Sequence, residues 1–313
     1  MRVLVTRALT RRVTAILREE FKADFRERDA PMTLSEAQDA LASYDAILPT
    51  LGDALRTEAF TGQIRAKLLA NFGVGVNHID VTAAKAAGLA VTNTPGAVTD
   101  ATADIAMTLL LMSARRASEG ERMLRAGNWT GWAPTQMLGA HVTGKRLGII
   151  GMGRIGQAVA KRAHYGFGMQ VVYASRSPKV LDFPAKPAAL RDLLASVDFV
   201  VLAVPATPET RHMIGALELA LMAPHAHLIN VARGDVVDEA ALIDALAMGQ
   251  IGGAGLDVYE REPTVPADLI ALPNVTLLPH LGTATEEVRD AMGMMAVANL
   301  RAFRDGTPLP NPV

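Results

Sequence analysis

The chain has 313 residues, half of them hydrophobic, so it is long enough to bury a large core and to form two domains. Its 31 basic and 32 acidic residues leave a formal net charge of −1, which provides no general attraction to nucleic acid or to an anionic membrane, and we expect neither as a partner. The sequence contains no cysteine, which excludes a thiol nucleophile, a thiolate metal site and disulfides and is typical of a reducing compartment.

The first 98 residues alternate between short apolar segments and segments with helical periodicity. Predicted strands lie at residues 2–6, 23–26, 46–48, 66–71 and 90–92, and predicted helices lie at residues 11–21, 35–42 and 81–87. Short loops between alternating elements predict a mostly parallel sheet flanked by helices. Because residues 1–6 have a strand pattern rather than a signal-peptide pattern, and no apolar run approaches the ~18 residues of a membrane span, we expect a cytoplasmic protein.

A long apolar helix, predicted over residues 101–117 and capped by Thr99 or Asp100, leads to a glycine-rich turn in the middle of the chain. There the buried strand 147–150 is followed by Gly151, Gly153 and Gly156 and then by helix-forming residues. The first glycine allows a tight turn, the second lets the backbone approach a pyrophosphate, and the third lets the helix pack closely on the strand. This strand-turn-helix context predicts a dinucleotide site at the N-terminus of the helix.

The end of the next strand, residues 169–173, indicates which dinucleotide binds. An NAD site usually carries an acid there for the ribose 2′-hydroxyl, but this chain has Ser175, Arg176 and Ser177, and no acid before Asp182. A guanidinium can pair with a 2′-phosphate, and the serine hydroxyls can donate to the same group. The alternative is a solvated turn, since these residues also favour turns. We expect NADPH to be preferred over NADH.

After the glycine turn the strand-helix alternation resumes and predicts a doubly wound sheet. Predicted strands lie at residues 199–204, 227–231, 253–258 and 275–278, predicted helices lie at 187–195, 215–222, 239–248 and 285–304, and an extended tail follows at 307–312. We expect an α/β protein with two Rossmann-like domains and parallel sheets, in which the nucleotide-binding domain is inserted into the substrate domain. Residues 1–98 and 286–313 would form the substrate domain and residues 99–285 the dinucleotide-binding domain, with substrate and cofactor meeting in a cleft.

Three polar side chains follow strands of the predicted nucleotide domain, at the sheet edge where ligands bind in open α/β sheets. They are Arg233, Glu262 and His280. Reduction of a ketone by a nicotinamide requires a proton donor, for which imidazole is suited near neutral pH, while a carboxylate can fix the imidazole tautomer and an arginine can hold an anionic substrate. Taken singly, each has an ordinary structural explanation: a solvated loop arginine, a turn glutamate, a packed histidine. Together, beside a dinucleotide site, they predict an active site.

The sequence resembles the D-2-hydroxyacid dehydrogenases along essentially its full length, and within them the NADPH-dependent glyoxylate/hydroxypyruvate reductases. The motifs that carry the resemblance are residues 73–80, 100–104, 129–134, 148–156, 231–234, 255–259, 262–263 and 279–282. The resemblance implies that Arg233, Glu262 and His280 form the catalytic triad, with His280 as the acid in reduction, Glu262 as its partner and Arg233 as the group that binds substrate and polarises its carbonyl.

The resemblance also implies binding residues. For the cofactor they are Thr102, Gly151, Met152, Gly153, Arg154, Ile155, Gly156, Ser175, Arg176, Ser177, Val204, Pro205, Thr210, Val231, Ala232, Arg233, Asp257, His280 and Gly282, with Thr102 and Asp257 facing the nicotinamide half. For the substrate they are Leu51, the backbone N–H groups of Val74 and Gly75, Arg233, His280 and Trp132 of a partner subunit, which implies a homodimer. Ordinary packing is the alternative explanation of Trp129 and Trp132.

The resemblance therefore implies a reductase that converts glyoxylate to glycolate and hydroxypyruvate to D-glycerate. A D-lactate-type enzyme or a reductase of bulkier 2-oxoacids is the alternative within the enzyme class. Pocket residues at and near Leu51 would decide between these substrates, and one methylene changes such discrimination by only about 1–3 kcal/mol. A nucleotide-sensing binding protein that resembles the dehydrogenase-like corepressors is the alternative from another class, although this chain lacks their long extensions and their NAD-type acid.

Overall fold

Two parallel sheets, one of five strands and one of seven, organise the chain in the computed structural model, which describes residues 1–313. Each sheet belongs to its own compact unit: the first unit comprises Met1–Val98 and Thr283–Val313, and the second comprises Thr99–Gly282. The predicted α/β class with parallel sheets is confirmed. The second unit ends at residue 282, three residues before the boundary expected from the sequence.

The first unit contains strands β1 (Val3–Val5), β2 (Asp24–Phe25), β3 (Ala46–Leu48), β4 (Leu68–Ala70) and β5 (Ala90–Thr92), in the order β2-β1-β3-β4-β5. Its helices are α1 (Arg11–Phe21), α2 (Leu34–Ser43), α3 (Val81–Ala86) and a C-terminal helix (Glu286–Arg304). The C-terminal helix packs on α1 and β4. A Cβ at Gly293 would lie 2.5 Å from Val13 Cγ2, so the absence of a side chain there permits this close approach.

The predicted extended tail pairs with the free edge of β5. Thr92 and Pro312 form an antiparallel bridge, the N–H of Val313 donates to the carbonyl of Val91 at 2.9 Å, and the N–H of Asn93 donates to the carbonyl of Asn311 at 3.1 Å. The edge of this sheet is therefore covered by the chain itself, which removes an exposed template for strand pairing.

The second unit contains strands β6 (Arg146–Ile150), β7 (Gln170–Ala174), β8 (Ala185–Pro187), β9 (Phe199–Leu202), β10 (His227–Asn230), β11 (Gly253–Leu256) and β12 (Val275–Leu277). Its helices are α4 (Thr99–Ala114), α5 (Ala117–Arg125), α6 (Arg154–Lys161), α7 (Leu190–Ser196), α8 (Ala216–Leu219), α9 (Glu239–Ala247) and α10 (Ala267–Ala271). The strand order is β12-β11-β10-β9-β6-β7-β8, with all pairs parallel, and apolar side chains fill a core on each face of the sheet.

Two predicted helices of this unit have a different end or start in the structure, and the helix expected over residues 215–222 covers only Ala216–Leu219. The helix expected over residues 101–117 ends at Ala114, because Arg116 adopts a left-handed conformation (φ +52°) and a separate helix, α5, begins at Ala117. The helix expected from residue 187 begins at Leu190, because residues 185–187 pair with β7 as the edge strand β8. An edge position accommodates Pro187, which has no N–H to donate.

No helix in the structure combines the length and the apolar character needed to span a membrane.

Candidate active site

The glycine turn lies where the strand order of the second unit reverses, between β6 and β9. Open α/β sheets bind ligands at this position, beyond the carboxyl ends of the strands. Gly151 follows β6 with φ +99°, a left-handed conformation that favours glycine, and a Cβ there would lie 2.6 Å from the carbonyl oxygen of Ala203 after β9. The turn after β6 and the loop after β9 therefore touch, and no side chain fits between them.

The space around the other two glycines fits a pyrophosphate. Gly153 precedes α6, and a Cβ added there would have nothing within 4 Å, whereas a Cβ at Gly156 would lie 2.1 Å from the carbonyl oxygen of Gly151. Gly153 thus leaves open space at the helix N-terminus, where N–H groups lack partners within the helix, and Gly156 allows the turn to pack on the helix. Arg154 is exposed at this helix start, while the side chain of Met152 is buried in the core.

A cationic turn follows β7. Arg176 is exposed and forms no salt bridge, the hydroxyl of Ser175 donates to the carbonyl of Ser177 at 2.7 Å, and Lys179 Nζ donates to the hydroxyl of Ser177 at 3.2 Å. The turn contains no acid, so the guanidinium of Arg176, the remaining N–H groups of Lys179 and the hydroxyl proton of Ser177 are available to an anion, whereas the hydroxyl proton of Ser175 is used within the turn. Lys179 is a further cation that the sequence analysis did not single out.

The remaining predicted cofactor residues line the carboxyl edge of the same sheet or support its loops. The hydroxyl of Thr210 donates to the carbonyl of Pro205 at 2.8 Å and accepts from the N–H of Thr207 at 2.8 Å, so it shapes the loop that carries Val204. Val231 and Ala232, after β10, are buried. Ile155 is half-buried in the first turn of α6.

The turn that carries Arg233 is held in place by the side chain of Asn230. The side chain of the buried Asn230 accepts from the N–H of Ala232 at 3.0 Å and donates to the carbonyl of Arg233 at 2.9 Å, which closes a tight turn at the end of β10. The guanidinium of Arg233 donates to the carbonyl of Ala232 at 2.6 Å, but its buried Nε has no acceptor. Burial lowers the pKa of Arg233, and the charges of Glu262 and Asp235 offset only part of this effect. An arginine stays charged in proteins, so the site holds a cation with a free donor.

Glu262 and His280 form a hydrogen-bonded pair after β11 and β12. His280 Nδ1 lies 2.8 Å from Glu262 Oε2, and Glu262 Oε1 accepts from the N–H of Tyr259 at 3.1 Å. Burial raises the pKa of Glu262, but the hydrogen bond and charge of His280, the Tyr259 N–H and the charge of Arg233 lower it by more, so its pKa lies below the ordinary value. An ionised Glu262 accepts a hydrogen bond from Nδ1–H of His280, which leaves Nε2 on the opposite side of the ring for a substrate.

The loop that carries His280 is anchored by Asp257. The two carboxylate oxygens of this buried residue accept from the N–H groups of Leu281 at 2.6 Å and Gly282 at 2.8 Å, and the hydroxyl of Thr102 donates to the carbonyl of Gly282 at 3.1 Å. Burial raises the pKa of Asp257, and the two N–H donors and the charge of His280 offset part of that shift. His280 itself has φ +56°, a left-handed conformation unusual for a residue other than glycine, which its anchored neighbours maintain.

The substrate residues predicted in the first unit lie at the carboxyl edge of its own sheet. Val74 and Gly75 follow β4, and Leu51 follows β3 with 37% of its surface exposed. The N–H groups of Val74 and Gly75 donate to no group of the chain, so both are available to an anion.

Trp132 belongs to the second unit and is 80% exposed. It lies between α5 and β6 in a segment that also exposes Trp129 and Leu138. Packing within the chain therefore does not explain this tryptophan.

The geometry of the candidate site agrees with the protein family that the chain resembles. The profile of the D-isomer specific 2-hydroxyacid dehydrogenase NAD binding domain matches residues 107–282. The chain is also 45% identical to the glyoxylate reductase of Thermococcus gammatolerans, over 97% of this chain and 93% of that protein. The chain belongs to the D-isomer specific 2-hydroxyacid dehydrogenase family. The resemblance inferred from the sequence motifs is thereby confirmed.

Solved structures match this dehydrogenase along the whole chain. A protein from Thermus thermophilus superposes with a TM-score of 0.93 at 42% identity, with 100% of both chains covered. The NADPH-dependent glyoxylate/hydroxypyruvate reductase of Sinorhizobium meliloti, in complex with NADP and malonate, superposes with a TM-score of 0.89 at 36% identity, covering 100% of this chain and 96% of that one. The cofactor of this dehydrogenase is a pyridine nucleotide, and the glycine turn after β6 has the space that one requires.

The sequence analysis did not single out Asn230, whose side chain fixes the turn that carries Arg233. It lies directly before a Val-Ala-Arg segment at the end of a buried strand. An asparagine in that position can bond its own backbone two residues later, and this preference is the signal that could have identified it.

Proposed function

We propose that the protein catalyses the NADPH-dependent reduction of small 2-oxoacids, glyoxylate to glycolate and hydroxypyruvate to D-glycerate. The observation that carries this proposal is the pair formed by His280 and Glu262, 2.8 Å apart, within electrostatic reach of the partly unsatisfied Arg233. The named relatives support the substrate class, since one is a glyoxylate reductase and one a glyoxylate/hydroxypyruvate reductase.

Each member of the triad has one task in this proposal. NADPH, when bound, supplies the hydride that adds to the carbonyl carbon. Arg233 donates hydrogen bonds to the substrate and polarises its carbonyl, because it carries a charge and a free buried donor. His280 gives its Nε2 proton to the carbonyl oxygen, which becomes the hydroxyl. Glu262 keeps the imidazole in the tautomer and orientation that this transfer requires.

Substrate recognition is proposed to come from the backbone of the first unit, which would serve as the substrate domain. The free N–H groups of Val74 and Gly75 would bind the carboxylate, and Leu51 would limit the size of the group beyond the carbonyl. We further propose a homodimer in which Trp132 of the partner subunit closes the pocket, a role that its exposure favours. The cytoplasmic location stays a prediction.

Initial rates with NADPH against a panel of glyoxylate, hydroxypyruvate, pyruvate and a bulky aromatic 2-oxoacid test the substrate class. We expect the highest kcat/KM with glyoxylate and hydroxypyruvate. Faster turnover of the aromatic acid would favour the reductase of bulkier substrates, and tight NADPH binding without any turnover would overturn the enzymatic proposal in favour of a nucleotide-sensing protein.

The preference for NADPH rests on Arg176 and its neighbours, and an Arg176→Asp variant tests it. The aspartate would repel the 2′-phosphate and accept from a free 2′-hydroxyl, so we expect the ratio of kcat/KM for NADPH to that for NADH to fall by at least about 100-fold and to reverse. An Arg191→Asp variant, at an exposed arginine of α7, controls for the change in net charge. An unchanged ratio in Arg176→Asp would contradict the assignment of the 2′-phosphate site.

A further inference from the structure

The turn that bears the free N–H groups of Val74 and Gly75 is held by two asparagine side chains. Asn71 Nδ2 donates to the carbonyl oxygens of Gly73 at 3.0 Å and Gly75 at 3.1 Å, and Asn93 Nδ2 donates to the carbonyl oxygen of Val74 at 2.9 Å. Three successive carbonyls of this turn are thus bound to side-chain amides. The first of them, that of Gly73, also accepts from the N–H of Thr94 at 3.1 Å.

The direction of each N–H group follows from the carbonyl that precedes it. A peptide unit is planar and trans, so its C=O and its N–H point in opposite directions. The carbonyl of Gly73 belongs to the same peptide as the N–H of Val74, and the carbonyl of Val74 belongs to the same peptide as the N–H of Gly75. When Asn71 and Asn93 bind these carbonyls, both N–H groups are turned away from the amides and left without partners in the chain.

The surroundings of the turn favour an anion as its ligand. The guanidinium of Arg289, on the C-terminal helix, lies 5.9 Å from the ring centroid of Phe72, the residue before the turn. Arg289 is half-buried and forms no salt bridge, so its positive charge is not neutralised by a carboxylate. Burial lowers the pKa of Arg289, as expected for a cation without an acidic partner.

We propose that Asn71 and Asn93 are positioning residues for substrate binding, which orient the N–H groups of Val74 and Gly75 toward the carboxylate of a 2-oxoacid. This inference rests on the proposed function and extends it to two residues that contact neither the reacting atoms nor the cofactor. Because the N–H groups grip the carboxylate equally before and during the reaction, loss of either asparagine weakens substrate binding and leaves the chemical step intact.

The test compares Asn71→Asp, Asn71→Ala and Asn93→Ala with wild type in steady-state kinetics with glyoxylate. The aspartate is isosteric but turns two donors into acceptors that face carbonyl oxygens, so its effect is expected to be the largest. We expect KM to rise about tenfold or more in Asn71→Asp and several-fold in the alanine variants, as for loss of a charge-assisted hydrogen bond, while kcat stays within twofold.

An Asn299→Ala variant is the matched control for a merely structural effect. Like Asn71, Asn299 is buried in the first unit, and its side chain makes three hydrogen bonds, to the carbonyl of Met295 and to the side chain and N–H of Asn311. We expect Asn299→Ala to lose about as much stability as the Asn71 and Asn93 variants but to keep the wild-type KM for glyoxylate. An equal rise of KM in this control, or a fall of kcat rather than a rise of KM in the Asn71 and Asn93 variants, would overturn the inference.

Binding of oxamate in the presence of NADPH, measured by calorimetry, separates this inference from the proposed function. The Kd of oxamate should rise with the KM of glyoxylate across the variants, while the Kd of NADPH stays constant. If wild type reduces no 2-oxoacid, the proposed function fails, and the oxamate titration, which requires no turnover, still decides whether the two asparagines orient an anion site. Equal oxamate affinity in wild type and Asn71→Asp would refute it.

Discussion

The two units of the molecule hold a turn at the carboxyl edge of their sheets in the same way, but the two turns present different chemical groups. In both, a buried asparagine at the end of a strand binds the backbone of the following turn: Asn71 directly after β4 and Asn230 as the last residue of β10. In the first unit the turn presents backbone N–H groups, whereas in the second it presents the side chain of Arg233. In each unit the asparagine fixes the backbone of the turn, and the residues that follow it determine which groups the turn presents to a ligand.

Under the proposed function, this difference corresponds to a division between recognition of the substrate and the reaction itself. Backbone N–H groups have a fixed charge distribution and do not titrate, so they suit a carboxylate that stays the same throughout the reaction. Proton transfer requires groups that change protonation state, and these are side chains: the second unit gathers Arg233, Glu262 and His280 after three neighbouring strands. The comparison predicts that variants of the second unit affect kcat and that variants of the first affect mainly KM.

The largest expected effect is that of His280→Asn. Asparagine tolerates the left-handed backbone conformation of this position (φ +56°) better than alanine and cannot deliver a proton. Loss of the general acid should lower kcat by roughly 10²–10⁴-fold. The Kd of NADPH, measured by fluorescence titration, should stay within about twofold, because the glycine turn after β6 is untouched. If His280→Asn keeps more than a tenth of the wild-type kcat, His280 is not the proton donor.

Arg233→Ala comes next and distinguishes the two kinds of site most directly. The guanidinium is proposed to bind substrate and to stabilise charge on the carbonyl oxygen, so kcat should fall by about 10²–10³-fold while KM rises, as expected for loss of a preorganised donor. An Arg233→Lys variant keeps the charge but not the two-point geometry and should recover only part of kcat. A rise in KM alone, as expected for Asn71→Asp, would mean that Arg233 only recognises the substrate and would break the division between the units.

The sequence predicted the parallel sheets because their strands and helices leave local signals, whereas the catalytic role of Arg233, Glu262 and His280 stays a prediction. The helix over residues 11–21 has the bounds expected, and strands at 46–48 and 90–92 do as well, since each is an apolar segment bounded by turns. The break between α4 and α5 was not predicted, because arginine is not a residue type that favours turns and the left-handed conformation of Arg116 depends on the tertiary structure.

The long-range contacts that support the sites were beyond sequence reasoning for a different reason. Glu260 and His212 form a second glutamate-histidine pair, 2.6 Å apart, and Glu260 lies only two residues before Glu262 in the chain. Apart from the motif around Glu262, no local sequence feature indicates which of the two glutamates pairs with His280. The hydrogen bonds of Asp257 to Leu281 and Gly282 span 24 and 25 residues. Such contacts depend on which strands are neighbours, and that order is a property of the folded sheet.

The smallest effect we predict is a shift in pH dependence, and it uses that second pair as its control. The pKa of Glu262 is held below its ordinary value, so this carboxylate is ionised near neutral pH and accepts a hydrogen bond from His280 Nδ1. As the pH falls through the lowered pKa of Glu262, the carboxylate is protonated and no longer holds the imidazole as a charged acceptor, so kcat/KM should decline on the acidic side. In Glu262→Gln no carboxyl group titrates at this position, so the acidic decline of kcat/KM should shift to lower pH.

The neutral variant of the neighbouring pair, Glu260→Gln, should leave the pH profile of kcat/KM where it is in wild type, because Glu260 bonds His212 and not His280. The same shift in both variants would mean that general loss of negative charge near the site, and not the bond between Glu262 and His280, sets the profile. A shift confined to Glu262→Gln places the titrating group in the second unit. The profile should also be unchanged in Asn71→Asp if the first unit supplies binding alone, so the pH dependence tests the division between recognition and reaction independently of the size of any rate change.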